Sequence, residues 1–204
     1  MIPDRVLQAL RDALASRAPG ELREPPGYRP ASVLVPIHPR ADDLDIVFIQ
    51  RSDDLPHHAG QIAFPGGSRE PEKEDALRCA LREAEEEVGL SPARVEVLGA
   101  IEPCFTPSGF AISPFVGRIE VEPSVLRPDP REIARIFTVP LGALVEPGAY
   151  RRALFGPDRP LEFFVYGDDV IWGATARILR RVIELARGES LQPEGPIPWD
   201  RIRF

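Results

Sequence analysis

The stretch Arg82-Glu83-Ala84-Glu85-Glu86-Glu87-Val88-Gly89-Leu90, REAEEEVGL at residues 82–90, puts four glutamates into five consecutive positions of a segment with helical periodicity. With Leu77 set at zero and 100° per residue, Leu77, Ala80, Leu81, Ala84 and Val88 form one apolar stripe, and Glu83, Glu86 and Glu87 share a second face. Carboxylates crowded at i, i+3 and i+4 cost roughly 0.2–0.5 kcal/mol per pair unless something neutralises them. One neutraliser is the helix itself, since Arg82 with Glu86 and Glu74 with Arg78 are spaced at i, i+4, which leaves an ordinary solvated acidic face. The other is a divalent cation. Hard oxygen ligands suit Mg²⁺ or Mn²⁺, ions that accompany phosphate-bearing substrates. The flanking residues decide between these readings.

The helix has clear ends. Pro71 followed by Glu72, Glu74 and Asp75 reads as its start, because proline suits a first turn and acids complement the N-terminal dipole. Gly89 stops it, with Pro92 close behind. Further out, residues 3–17 read as an amphipathic helix through Val6, Leu7, Leu10 and Leu14, followed by a Pro/Gly-rich connector from Pro19 to Pro30. SVLVPIH (32–38) and LDIVFIQ (44–50) read as strands joined in a hairpin, and HHAGQIAFPGG as the loop leading into the acidic helix. Strands are expected at 95–103, 111–121, 135–140 and 161–167, with a helix over 169–187. Strands interrupted by one helix and closed by another indicate an α/β sandwich. We expect one domain over 1–204, with 1–30 as helix and connector and 189–204 as a C-terminal tail.

The formal net charge of −7 argues against a nucleic-acid surface, and an acidic protein acting on anionic phosphates needs cations at its site. No run approaches the roughly 18 apolar residues of a membrane span. The first residues carry acids and arginines without an apolar signal core, so a cytoplasmic location is expected. Cys79 and Cys104 make no disulfide framework and are expected as reduced, partly buried thiols.

Taken with GG at 66–67, REAEEEVGL resembles the Nudix box, G-x5-E-x7-R-E-U-x-E-E-x-G-U, with U a bulky aliphatic residue. Arg82, Glu83, Glu86, Glu87, Gly89 and Leu90 hold their places, Ala84 stands for the aliphatic, and Glu74 falls on the first glutamate. Ser68 occupies the first glycine position, so the Gly pair sits one residue farther away than the strict pattern. Upstream, QRSDDLPHHAGQIAFPGG (50–67) is similar to the extra signature of the coenzyme A pyrophosphatase branch, through Arg51, Ser52, His58, Gly60, Gln61, Phe64, Pro65, Gly66 and Gly67. That branch shares the longer Gly-pair spacing, and VIWGATARIL (170–179) also looks like it. Two departures stand out: Pro56 replaces an arginine, removing a phosphate contact, and Val47-Phe48-Ile49 replaces Leu-Leu-Thr.

The resemblance implies a Nudix-type α/β/α sandwich with a mixed sheet and a catalytic loop-helix-loop. It implies Mg²⁺ or Mn²⁺ held by Glu83, Glu86, Glu87 and the carbonyl of Gly67, with Arg82 orienting the glutamates. Glu86 and Glu132 are the candidate general bases, and Glu132 also reads as a solvated acid at a strand start. Arg51, His58 and Gly66 are the candidate substrate contacts. Arg51 reads equally as a partner of Asp53 or Asp54, and His58 as a brace for its loop. Phe64-Pro65 is expected to pack under the Gly pair. The implied reaction cleaves coenzyme A or its thioesters to 3′,5′-ADP and 4′-phosphopantetheine or its acyl form. Other readings are another diphosphate such as ADP-ribose, a dinucleotide polyphosphate or an oxidised nucleotide, and a catalytically silent binding module. A small-molecule nucleotide is the expected partner, with neither nucleic acid nor membrane, and a homodimer is compatible with the chain.

Overall fold

A computed structural model describes residues 3–15, 26–70, 72–155 and 159–202. Most of the expected connector, together with Pro71, lies outside the described residues. The elements in order are α1 (Pro3–Ala15), β1 (Arg29–Pro39), β2 (Leu44–Arg51), β3 (Ile62–Ala63), β4 (Gly66–Ser68), α2 (Ala76–Val88), β5 (Val95–Ala100), β6 (Cys104–Phe105) and β7 (Phe110–Ile119). They continue with β8 (Ile133–Pro140), α3 (Leu141–Leu144), β9 (Tyr150–Phe155), β10 (Arg159–Tyr166), β11 (Asp169–Trp172) and α4 (Gly173–Arg187).

The large sheet runs β3-β2-β1-β7-β5, with β4 on β1, β6 on β7 and β8 on β2. It is mixed because β1 and β7 are parallel over Arg29↔Phe110 to Ile37↔Arg118, while its other pairs are antiparallel. Strands β11-β10-β9 form a second, antiparallel sheet. Alternation along β1 and β2 sorts side chains between two cores. Leu34, Val47 and Ile49 pack with Ala80, Ala84 and Val88 of α2, whereas Val35, Ile46 and Phe48 pack with Leu10 and Leu14 of α1 and Leu179 and Val182 of α4. The sheet is thus sandwiched between helices, as the expected α/β/α architecture requires.

Strands β1 and β2 pair only from Ile37↔Ile46 to Pro39↔Leu44 and then separate. The segment 62–68 fills the gap: β3 pairs with Ile49 and Gln50, Leu34 N–H donates to Pro65 O (2.9 Å), and β4 pairs with Ala31 to Val33. Phe64 is buried beneath this segment and stacks on Phe48 with ring centroids 4.9 Å apart, a contact worth about 0.5–1.5 kcal/mol beyond its area burial.

Several boundaries differ from the sequence reading. Helix α2 begins at Ala76, not near Pro71, because Asp75 caps it by accepting from Arg78 N–H (2.8 Å). Gly89 ends it in the left-handed region, φ 69°, and its N–H reaches the last carbonyls. Residues 169–172, expected as helix, form β11 in a hairpin with β10; Gly167 at φ 56° makes the turn and Val170 and Ile171 suit a strand. The strand at 95 stops at Ala100, after a register shift between Val97 and Gly99. Strand β8 starts at Ile133, two residues earlier than expected, and β9 was not anticipated in its Gly/Pro-rich surroundings. No helix among the described residues is long and apolar enough to cross a membrane.

Candidate active site

The site is built where α2 crosses β4. Residue 66 must be glycine, because a Cβ there overlaps the Ser32 carbonyl and the Val33 backbone. Its N–H donates to Glu87 Oε2 (2.9 Å), so loop and helix are joined by a hydrogen bond as well as by packing. At Gly67 an added Cβ falls 2.5–2.6 Å from all three carboxylate atoms of Glu83. The Glu83 carboxylate therefore occupies the space that any larger residue at 67 needs. Beneath them lies the buried Cys79, its Sγ 3.8 Å from the Gly67 carbonyl and 3.7 Å from that of Ser68. Burial pushes this thiol up to about 11, and both cysteines are free.

The glutamates divide by depth. Glu87 is buried, with a side chain 4 % exposed, whereas Glu83 is 18 % and Glu86 60 % exposed. Desolvation pushes Glu87 up to about 8, against the opposing pull of the Gly66 N–H, and the charge of Glu83 adds to the rise. Glu83 is raised too, first by burial. Arg51 Nη1 approaches Glu87 Oε1 at 3.7 Å, which makes the helix glutamate a partner of this guanidinium.

Arg82 gathers three carboxylates. Its Nε and Nη2 bind Glu74 in a two-pronged pair (3.1 and 2.8 Å), its Nη2 lies 2.9 Å from Glu83 Oε1, and its Nη1 is 2.8 Å from Glu86 Oε2. The hydrogen bonds from Arg82 hold Glu74 below the usual carboxylate range. Glu74 was expected to pair with Arg78; lying just outside the helix, it reaches eight residues ahead instead. The i, i+4 pair of Arg82 with Glu86 forms as expected.

Glu132 immediately precedes β8, where its carbonyl accepts from Ser52 N–H (2.7 Å), and its charge raises both Glu83 and Glu87. Its charge thus reaches the α2 glutamates from outside the helix. His58 is more distant in role: its ring Nδ1 meets Gln61 Oε1 at 3.0 Å and its backbone has φ 57°, the left-handed region rarely used without glycine. That is the geometry of a loop brace.

Among the described residues no three His, Cys, Asp or Glu side chains converge as a ready metal cluster, since Glu86 is turned to Arg82 and Glu87 to Gly66. The donor chemistry nevertheless fits a hard divalent ion. Glu74, Glu83, Glu86, Glu87 and Glu132 outnumber the guanidinium groups of Arg51 and Arg82 among them, and burial disfavours the ionised form of Glu83 and Glu87, the form that a divalent ion stabilises. Glu86 can leave its exposed ion pair at little cost, because such pairs contribute about 0–1 kcal/mol.

A family model described as the NUDIX domain matches residues 28–157, which takes in every residue of this site. The chain belongs to the Nudix family. An uncharacterized Nudix hydrolase, NudL, of Shigella flexneri serotype 5b is 35% identical over 182 residues, covering 84% of this chain and 88% of that protein. The similarly named protein of Photorhabdus laumondii is 36% identical over 159 residues, covering 76% and 84%. Among solved structures, a NUDIX hydrolase from Nitrosomonas europaea superimposes with a TM-score of 0.53 over 85% of this chain and 81% of its own, at 15% identity, a likeness of fold alone. This Nudix protein is a pyrophosphatase of the hydrolase class, in a family that acts on small nucleotide derivatives and generally needs ions such as Mg²⁺ or Mn²⁺.

Proposed function

We propose that this Nudix hydrolase cleaves the diphosphate linkage of coenzyme A or its thioesters, releasing 3′,5′-ADP and 4′-phosphopantetheine or its acyl form. The observation that carries the reading is the place of Arg51. It belongs to the upstream signature that resembles the coenzyme A branch, and its guanidinium stands beside Glu87 of the Nudix box. Gly66 and Gly67 of the same signature contact Glu87 and Glu83. The two motifs are one piece of structure.

In this reading Glu83, Glu86, Glu87 and the Gly67 carbonyl hold Mg²⁺ or Mn²⁺. A bound divalent ion neutralises the diphosphate and activates water. Arg82, tied to Glu74, fixes the orientation of Glu83 and Glu86 and does not touch substrate. Arg51 binds a substrate phosphate on the β2 side, Gly66 keeps Glu87 in place, and His58 braces the loop. Glu132, approaching from β8, takes the proton of the attacking water, with Glu86 the other candidate for that role. The chain over residues 1–204 acts as one unit in the cytoplasm, and a homodimer is compatible with this arrangement.

A second reading keeps the chemistry and changes the substrate to another nucleoside diphosphate derivative such as ADP-ribose. Pro56 favours it, because the signature's second arginine is missing from this loop. The test is to incubate the purified protein with coenzyme A, ADP-ribose and several nucleotides, with and without Mg²⁺ or Mn²⁺, and to identify the products. Metal-dependent release of 3′,5′-ADP is expected. Turnover of ADP-ribose alone would sink the coenzyme A assignment, and no turnover of any diphosphate would leave a silent binding module.

A further inference from the structure

The upstream signature serves two compartments. The ladder between β2 and β8 shifts register between Gln50 and Arg51, and at this irregularity Arg51 reaches Glu87 while Gln50 lines a cavity of about 430 Å³. The volume lies within the usual range for a small-molecule site. None of the α2 glutamates lines it. Its walls include Gln50, Gly60 and Gln61 from the signature, Asp169 and Trp172 from β11, and Arg201 near the chain end.

The polar wall is held in place. Gln50 Oε1 accepts from Arg135 Nε (2.6 Å) and Gln50 Nε2 donates to the Gly60 carbonyl (3.3 Å). Arg135 is itself paired with Asp169 and stacked over Phe137. One amide N–H and one oxygen lone pair of Gln50 remain beyond these bonds, the complement of a substrate amide. The charge lining the cavity leans negative: Arg135 answers Asp169, and Asp168 and Asp200 stand on the same wall as Arg201, whose guanidinium donates to the Gly167 carbonyl. That lining suits a neutral hydrogen-bonding chain better than a phosphorylated group.

We propose that this cavity takes the neutral, amide-bearing pantetheine arm of the substrate, while the phosphorylated adenosine stays on the α2 side. The inference rests on the coenzyme A reading above. A sheet with its side chains is about 10 Å thick, so the group that passes from the diphosphate around the end of β2 must be long and flexible. Of the two ends of coenzyme A, the pantetheine arm is the long, flexible and uncharged one.

The test uses the full chain carrying Trp199→Phe, which leaves Trp172 as the only tryptophan. Pantetheine and 3′,5′-ADP are titrated separately, and Trp172 fluorescence is followed. Pantetheine is expected to change the emission saturably and 3′,5′-ADP to leave it alone. Gln50→Ala should weaken pantetheine about tenfold, the loss of a hydrogen-bonded pair in a partly enclosed site. If that variant unfolds, Asp200→Phe, which fills the mouth from an exposed position, should weaken pantetheine in its place. A response to 3′,5′-ADP alone, or to neither ligand, overturns the proposal. Hydrolysis of coenzyme A is measured on the same samples. Pantetheine binding without turnover sinks the functional reading only, and turnover without a pantetheine response sinks the cavity assignment only.

Discussion

Arg82 and Glu74 form a two-pronged ion pair across the start of α2, Nε to Oε2 at 3.1 Å and Nη2 to Oε1 at 2.8 Å. Glu74 is not on the helix, so this pair ties the approach loop to the glutamate face. The fork of a guanidinium fixes direction in a way that an ammonium does not. Arg82→Lys keeps the charge and loses the fork. It should lower kcat/KM by roughly 10–100-fold, the usual cost of removing a group that orients metal ligands. Circular dichroism should be unchanged, and Glu74→Gln should show a loss of the same order. Wild-type rates in both variants would show that the pair does not position the site.

Glu86 and Glu87 should respond differently to the same chemical change. Glu86 is exposed, so Glu86→Gln should fold normally; a loss of roughly 10²–10⁴-fold in kcat would give the proton of the attacking water to Glu86 and not to Glu132. Glu87 is buried, and Glu87→Gln should raise the Mg²⁺ concentration needed for half-maximal activity. A metal titration of the two variants checks both outcomes. Indistinguishable titrations would remove the distinction drawn here from burial.

Adjacent glycines should fail in distinct ways. Gly66→Ala pushes a methyl into the Ser32 carbonyl, which is backbone and cannot swing aside, so a stability loss of about 1–3 kcal/mol is expected in thermal unfolding. Gly67→Ala meets only the carboxylate end of Glu83, which can rotate away. That variant should keep most of its stability and lose activity. The reverse pattern would place the strain at the wrong residue.

Alkaline stability should report on Tyr150. Burial first, and the charge of Glu162 next, push its hydroxyl up to about 12, above the ordinary value of about 10. A folded-state value raised above the unfolded one contributes stability that is complete below about pH 10 and is lost as pH rises toward 12. Denaturant midpoints of the wild type should therefore fall across that window relative to those of Tyr150→Phe. Parallel curves for the two proteins would contradict the assignment.

The glutamate face was legible in the sequence because helical periodicity alone brings Glu83, Glu86 and Glu87 together, and Gly89 marks the helix end without ambiguity. The start was harder to place. Pro71, Glu72, Glu74 and Asp75 all suit a first turn, and only the hydrogen bond from Arg78 N–H identifies Asp75 as the cap. The bond between Glu74 and Arg82 spans eight residues, which no i, i+4 rule reaches, although the register of the Nudix box points to Glu74. Strand β11 is hidden in the sequence because Ile171 and Ala174 continue the apolar pattern of α4, and the turn at Gly167 is the one local signal that separates strand from helix. The pairing of Gln50 with Arg135 joins residues far apart in the chain, and one sequence carries no signal for that.

The segment 62–68 is hydrogen-bonded into the sheet on both sides, to β2 through β3 and to β1 through Pro65 and β4. A catalytic loop is often among the first parts of an enzyme to open, on its own and at small cost. Here Gly66 and Gly67 cannot leave without breaking ladder bonds to strands whose Leu34 and Ile49 are core residues. Their amide hydrogens should exchange with solvent on the timescale of global unfolding, so the site is lost only when the whole sheet is.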